Sequence, residues 1–202
     1  MHDTVGVFVK IFFLLTPFFV LSLFVTLTRE LELSRQRALA MRTSLAVLVI
    51  CLILYFFGDR IFSYLGITLD AFRVGSGLVL LLSGIEVVRG GGIPNGMRQS
   101  NDDGDISVVP MALPYTVGPG TTGALLLMGA EARDASTRIT EMAGIVFAVA
   151  LLGLMLYYSA ALERVLKRKG LNILSKLTGL FLAALASQLI FEGARNLLGL
   201  GG

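Results

Sequence analysis

Apolar runs of about twenty residues, each enough to cross the hydrocarbon of a bilayer, recur along the whole chain between short charged links. Only 15% of the residues are charged and the mean hydropathy is +0.80, whereas a soluble domain carries about a quarter charged residues. This pattern predicts an all-α, polytopic membrane protein, multi-pass in the cell (inner or plasma) membrane, with the lipid bilayer as its first partner. Six spans are expected: Val5–Leu27, Ala38–Phe57, Ala71–Val88, Ile106–Gly129, Ile139–Leu162 and Leu174–Leu198.

Two of these runs contain residues that an unbroken helix rejects. Met111–Thr122 holds Pro114, Gly118, Pro119 and Gly120, and the first run holds Thr16-Pro17. An interior proline removes one helical hydrogen bond and clashes with the preceding turn. In lipid such a break survives only where protein or a wet cavity satisfies the freed backbone groups. Broken helices of this kind commonly hold the substrate in transporters. The first and fourth helices are therefore expected to be discontinuous.

Several other functions are excluded. The net charge of +3 and pI near 9.2 come from bases in short loops, which set topology, and no basic face with interleaved aromatics suggests nucleic acid. Cys51 and His2 stand alone, too few for a His/Cys zinc site or a c-type haem. Asn101-Asp-Asp-Gly-Asp105 lacks the twelve-residue ligand spacing of an EF-hand. No phosphate-binding Gly-x-x-x-x-Gly-Lys loop is present. Converging His, Cys or acidic residues are missing from the spans, so no enzyme and no cofactor are expected. The run from Val5 has neither a basic leader nor a small-residue cleavage site, so it reads as a retained span.

The two halves repeat in outline. At an offset of 102, Pro17 falls on Pro119 (17 + 102), Ser34 on Ser136, Tyr55 on Tyr157, Gly77 on Gly179 and Glu86 on Gln188. The expected organisation is one three-helix repeat over 1–90, a polar connector over 91–105 and a second three-helix repeat over 106–202. An odd number of spans per repeat makes the second enter the membrane from the opposite side, giving an inverted pair. Arg29, Arg35, Arg37, Arg42, Arg89, Arg98, Arg164, Lys167, Arg168, Lys169 and Lys176 fall on one side. Lys10, Arg60, Arg73, Arg133, Arg138 and Arg195 fall on the other. The base-rich side is the cytoplasmic one, which places both termini outside. Gly75, Gly77, Ser83 and Gly84 give the third span a small-residue face suited to close helix packing.

At Gly118-Pro119-Gly120 an opened backbone presents N–H groups and the positive end of a helix dipole to an anionic group. Thr121 and Thr122 add hydroxyls, and carbonyls freed at the break suit an ammonium or a cation. A zwitterionic amino acid satisfies both sets. The candidate substrate-binding residues are Thr16, Pro17, Pro114, Gly118, Pro119, Gly120, Thr121, Thr122 and Gln188. Glu86 and Glu192 are candidates for coupling to a proton or sodium, with i,i+3 ion pairs to Arg89 and Arg195 as the plainer account.

The segment Pro110-Met-Ala-Leu-Pro114-Tyr-Thr-Val-Gly118-Pro119-Gly120 resembles the Pro-Leu-Ala-Ile-Pro-x-x-x-Gly-Pro-Gly pattern of the MarC family of membrane proteins. Pro17, Phe24, Leu27 and Thr28 resemble the family's first span, from which the chain departs at Thr16, Phe19 and Ser22. Arg73-Val-Gly-Ser-Gly77, Gly84-Ile-Glu86 and Gly179 extend the likeness over nearly the whole chain. The resemblance implies six spans and transport of small neutral amino acids such as glycine or alanine, as in members of the SnatA type, driven by an ion gradient. The alternatives are a non-transporting membrane scaffold and an exporter of other small solutes.

Overall fold

The computed structural model of the protein describes residues 4–90, 116–132 and 134–199. Among them run seven helices: α1 (Thr4–Leu14), α2 (Pro17–Thr28), α3 (Leu33–Leu65), α4 (Leu69–Arg89), α5 (Pro119–Glu131), α6 (Ala135–Tyr157) and α7 (Ser159–Leu197). Four of them, α3, α4, α6 and α7, are long and apolar enough to cross a membrane. The pair α1–α2, bent by 42° at its break, adds a fifth candidate span. Of the expected span Ile106–Gly129 the described part is essentially α5. The remainder, with Pro110 and Pro114, lies outside the described residues, as does the connector 91–105.

The helices are apolar on their outer faces as well as their inner ones. Along α3, Ala40, Val47, Cys51 and Tyr55 are buried, while Met41, Leu45, Val49, Ile53 and Phe56 on the other face are exposed. A helix hydrophobic all round belongs in a large core or in lipid. With this much apolar surface uncovered, the outer face is a lipid face.

Helix ends differ from expectation where charged residues read as loop. α3 begins at Leu33, inside the charged stretch 29–37, because Gln36 Nε2 donates to the Thr28 and Leu31 carbonyls (2.8 and 3.1 Å) and seals the turn. It runs on past Asp59 and Arg60 until Gly66, at φ 64, ends it with a bond from its N–H to the Phe62 carbonyl, a left-handed cap that glycine adopts without strain. Likewise α6 stops at Tyr157, short of Leu162, and the basic stretch 164–169 is helical on both sides of Lys167. Lys167 alone departs, at φ 52 and ψ 165, a region that costs a side-chain-bearing residue about 1–3 kcal/mol.

Glycines set the closest helix approaches. α4 and α7 run antiparallel in contact: a Cβ on Gly84 would lie 2.9 Å from the Gly179 carbonyl oxygen, and one on Gly179 would lie 2.7 Å from the Gly84 oxygen and from Val88. A Cβ on Gly77 would likewise meet Ile190 at 2.7 Å and the Ala186 oxygen at 3.0 Å. The two contact sets are copies of each other, since adding 102 to 77, 84 and 88 gives 179, 186 and 190. Gly77 and Gly84 thus fulfil the packing role expected of the third span, whereas Gly75 faces open space. Elsewhere Gly58 and Gly129 let α3 and α5 cross backbone to backbone, and Gly144 seats Val7 of α1 against α6.

Overfilling such a contact costs typically about 1–3 kcal/mol. Gly179→Val is expected to lower the thermal midpoint of the detergent-purified protein, and Gly75→Ala to leave it unchanged or raise it. Equal effects from the two would contradict this packing.

Candidate functional site

The chain turns sharply between α1 and α2. The Leu15 N–H bonds the Ile11 carbonyl and the Thr16 N–H the Phe13 carbonyl, both at 3.0 Å. Thr16 then takes a left-handed conformation, φ 46 and ψ 55, and Pro17 opens α2. Proline supplies no N–H, so the regular ladder cannot continue across this point. Thr16 and Pro17 are buried, and a buried carbonyl at the break needs a donor.

That donor comes from the other broken run. Thr121 Oγ1, in the first turn of α5, donates to the Leu14 carbonyl at 2.8 Å across 107 residues of sequence. Thr121 is 4% exposed, so the bond lies in the protein interior. Gly118 caps α5 in extended conformation and Pro119 occupies its first position. Thr122, half-buried, returns its N–H to the Gly118 carbonyl at 2.9 Å. The N–H groups of Gly120 and Thr121 precede the first intrahelical bond and are directed out of the helix start. The structure therefore brings Thr16, Pro17, Gly118, Pro119, Gly120, Thr121 and Thr122 into one region; Pro114 lies outside the described residues.

The role of Gly120 is steric. A Cβ there would sit 2.7 Å from Leu80 Cδ1 and 2.8 Å from Leu80 Cα, and one on Gly123 would sit 2.5 Å from Ser76 Cβ. These glycines admit α4 against α5. At its far end α5 is tied by Glu131, which accepts from Arg73 Nε at 2.9 Å and pairs with its guanidinium a second time. Arg73 also pairs with Asp70, which accepts from Asn196 Nδ2 of α7 at 2.9 Å. The half-helix is anchored at both ends and buried along most of its length.

Three expected polar residues lie elsewhere. Gln188 is exposed on α7 and donates to Glu192 Oε1 at 2.9 Å, one turn along the same helix. Glu86 is exposed near the end of α4, and among the described residues no ion pair joins it to Arg89. None of the three is brought to the joined breaks. Conversely, Glu141, one turn beyond Arg138 on α6, is only 4% exposed and accepts a 2.7 Å hydrogen bond from the Tyr55 hydroxyl of α3. It is not among the residues that the sequence singles out. Its partner is 86 residues away, beyond the reach of any local pattern.

A bundle of apolar-faced helices, four long enough to span and a fifth candidate bent at a buried break, defines a polytopic α-helical membrane protein. The MarC family integral membrane protein model matches residues 1–198, and the chain belongs to that family. It is 32% identical over 155 residues to a UPF0056 membrane protein of Methanocaldococcus jannaschii, covering 75% of this chain and 76% of that one. To the UPF0056 membrane protein YhcE of Escherichia coli it is 28% identical over 161 residues, 75% and 73% of the two chains. A UPF0056 membrane protein of Aquifex aeolicus is 29% identical over 150 residues, 70% and 68%. No solved structure matches the chain.

Removing a buried donor strands its acceptor at a cost of about 1–3 kcal/mol. Thr121→Val is expected to lower the thermal midpoint accordingly and Thr121→Ser, which keeps the hydroxyl, to recover most of the loss. A Val variant as stable as the parent would show that the Leu14 carbonyl does not depend on this hydroxyl.

Proposed function

We propose that the protein is a secondary transporter of small neutral amino acids of the glycine or alanine kind, without enzymatic activity. The observation that carries this reading is the Thr121–Leu14 hydrogen bond, which joins the break between α1 and α2 to the start of α5 inside the protein. Interrupted backbone at membrane depth is tolerated where protein or a wet cavity completes its bonding, and it is there that transporters of this build hold substrate and ion. The α5 start offers N–H groups and a positive dipole end to a carboxylate. Carbonyls around Thr16-Pro17 offer acceptors to an ammonium. Thr122 adds a hydroxyl, and the tight approach of α4 at Gly120 and Gly123 favours a ligand with a small side chain. In this reading the site comprises Thr16, Pro17, Pro114, Gly118, Pro119, Gly120, Thr121 and Thr122, and Gln188 has no part in it.

We further read the chain as two inverted three-helix repeats, 1–90 and 106–202, joined by 91–105, with both termini outside. The duplicated α4–α7 contacts support this. Exchanging two antiparallel helices by a constant offset is what a two-fold axis perpendicular to them does, and such an axis lies in the membrane plane. The two halves then supply two mirror-related conformations, the physical basis for alternating access.

The test is counterflow of labelled glycine or alanine in vesicles containing only the purified protein. Exchange of label against unlabelled substrate inside is the expected result. No exchange of any small solute under varied proton and sodium gradients would contradict transport and favour a scaffold.

A further inference from the structure

We propose that Glu141, held by Tyr55 across the α3–α6 contact, is the residue that takes up and releases the coupling proton, an assignment that rests on the transport reading above.

Ionisable groups inside membrane spans are costly, and those that persist face the bundle interior, where they carry ions or protons. Glu141 meets that description, being a buried carboxyl on α6 that accepts a hydrogen bond from a hydroxyl on another span, and Glu86 and Glu192, both exposed, do not. It lies six residues inside the start of α6, about 9 Å along the helix at the standard rise. The Tyr55 hydroxyl suits either state of the group, since a phenol donates to a carboxylate and accepts from a carboxylic acid. One contact can therefore persist, with its direction reversed, when a proton arrives.

Tyr55 also connects Glu141 to water. A cavity of about 380 Å³, within the lower range of ligand pockets, is lined by Tyr55, Phe56, Phe57, Arg60, Gly129 and Arg138. Tyr55 both lines this cavity and bonds the carboxyl, so its hydroxyl is the group through which a proton passes. In loading, hydronium in the cavity gives a proton to the Tyr55 oxygen as the phenol passes its own proton to a carboxyl oxygen of Glu141; two O–H bonds break, two form, the phenol is restored and water remains. Release reverses the step, to water on the opposite side once the helices have exchanged access.

Among the described residues, the packed helices bring their own titratable groups toward this region. From α3 come Tyr55 and Arg60, with Cys51 one turn earlier on the buried face. From α6 itself come Arg138, whose Nε donates to the Ala132 carbonyl at 3.0 Å, and Asp134, which caps the helix through the Thr137 N–H. α5 brings Glu131, already paired with Arg73. Among the described residues α1 and α2 bring Lys10 and no other titratable group. When the carboxyl is neutral its hydrogen bond with Tyr55 reverses direction and its charge no longer acts across the α3–α6 contact, which frees the two helices to shift against each other. Uptake of a proton is in this way linked to the exchange of access.

The experiment uses purified protein in vesicles and separates counterflow, which needs no gradient, from accumulation driven by an imposed pH difference. Wild type is expected to do both. Glu141→Gln, which mimics the neutral form, is expected to keep counterflow and to lose accumulation entirely, so that substrate only equilibrates. Tyr55→Phe is expected to move the pH of half-maximal accumulation by about one unit, the equivalent of one lost hydrogen bond. This second variant decides the matter if Glu141→Gln does not insert, and an unchanged pH profile there overturns the assignment. Full pH-driven accumulation by Glu141→Gln, or wild-type accumulation driven by sodium alone, overturns it while leaving transport intact. Absence of counterflow in wild type overturns the transport reading, and the assignment falls with it.

Discussion

Backbone amides and carbonyls must be satisfied inside a membrane protein as they are nowhere else, because lipid offers no substitute partner. Pro17 interrupts the first helix, and the Leu14 carbonyl beside the break is satisfied by Thr121, a residue of the second half of the chain. That single hydroxyl ties the α1–α2 break to the first turn of α5. It also fixes where α5 begins relative to the α1–α2 bend, and so where the N–H groups of Gly120 and Thr121 point. The remaining helices are arranged to hold this junction: α4 lies on Gly120 and Gly123, α3 crosses at Gly58 and Gly129, and Arg73 clamps Glu131 at the far end.

Close approach through glycine does most of the holding. Between spans, where hydrophobic burial adds little because lipid is as apolar as leucine, association depends on van der Waals contact and on hydrogen bonds. The α4–α7 seam supplies the contact twice, with Gly84 against Gly179 and Gly77 against Ala186 and Ile190. Its self-matching numbering is the feature on which the proposed pairing of two halves rests. The α3–α6 crossing, by contrast, is polar where Tyr55 meets Glu141. One contact is thus built from backbone approach and the other from a hydrogen bond between side chains.

Much of this was legible in the amino-acid order because the physics is local. Proline within an apolar run announces a break: Thr16-Pro17 marks the bend between α1 and α2, and Gly118-Pro119 marks the start of α5. Glycines at 77 and 84 announced a packing face, although Gly75, equally small, faces nothing. Helix ends near charge were misjudged at both ends of α3 and around Lys167. Charged residues are good helix formers, and their solvation says little about where a helix stops. Pairings at long range were beyond sequence reasoning. Nothing near Glu141 marks it as the partner of Tyr55, and nothing near Gln188 shows that it turns outward to Glu192.

The central claim is that substrate occupies the junction of the two breaks, and Thr122, half-buried beside Thr121, reports on it most directly. With the buried Cys51 replaced by alanine and Thr122 by cysteine, the rate of labelling by a small membrane-permeant thiol reagent can be measured with and without glycine. Occupancy of the junction predicts that glycine slows labelling in proportion to its concentration, while a large amino acid does not. Labelling indifferent to glycine at concentrations that saturate exchange would place the substrate somewhere else.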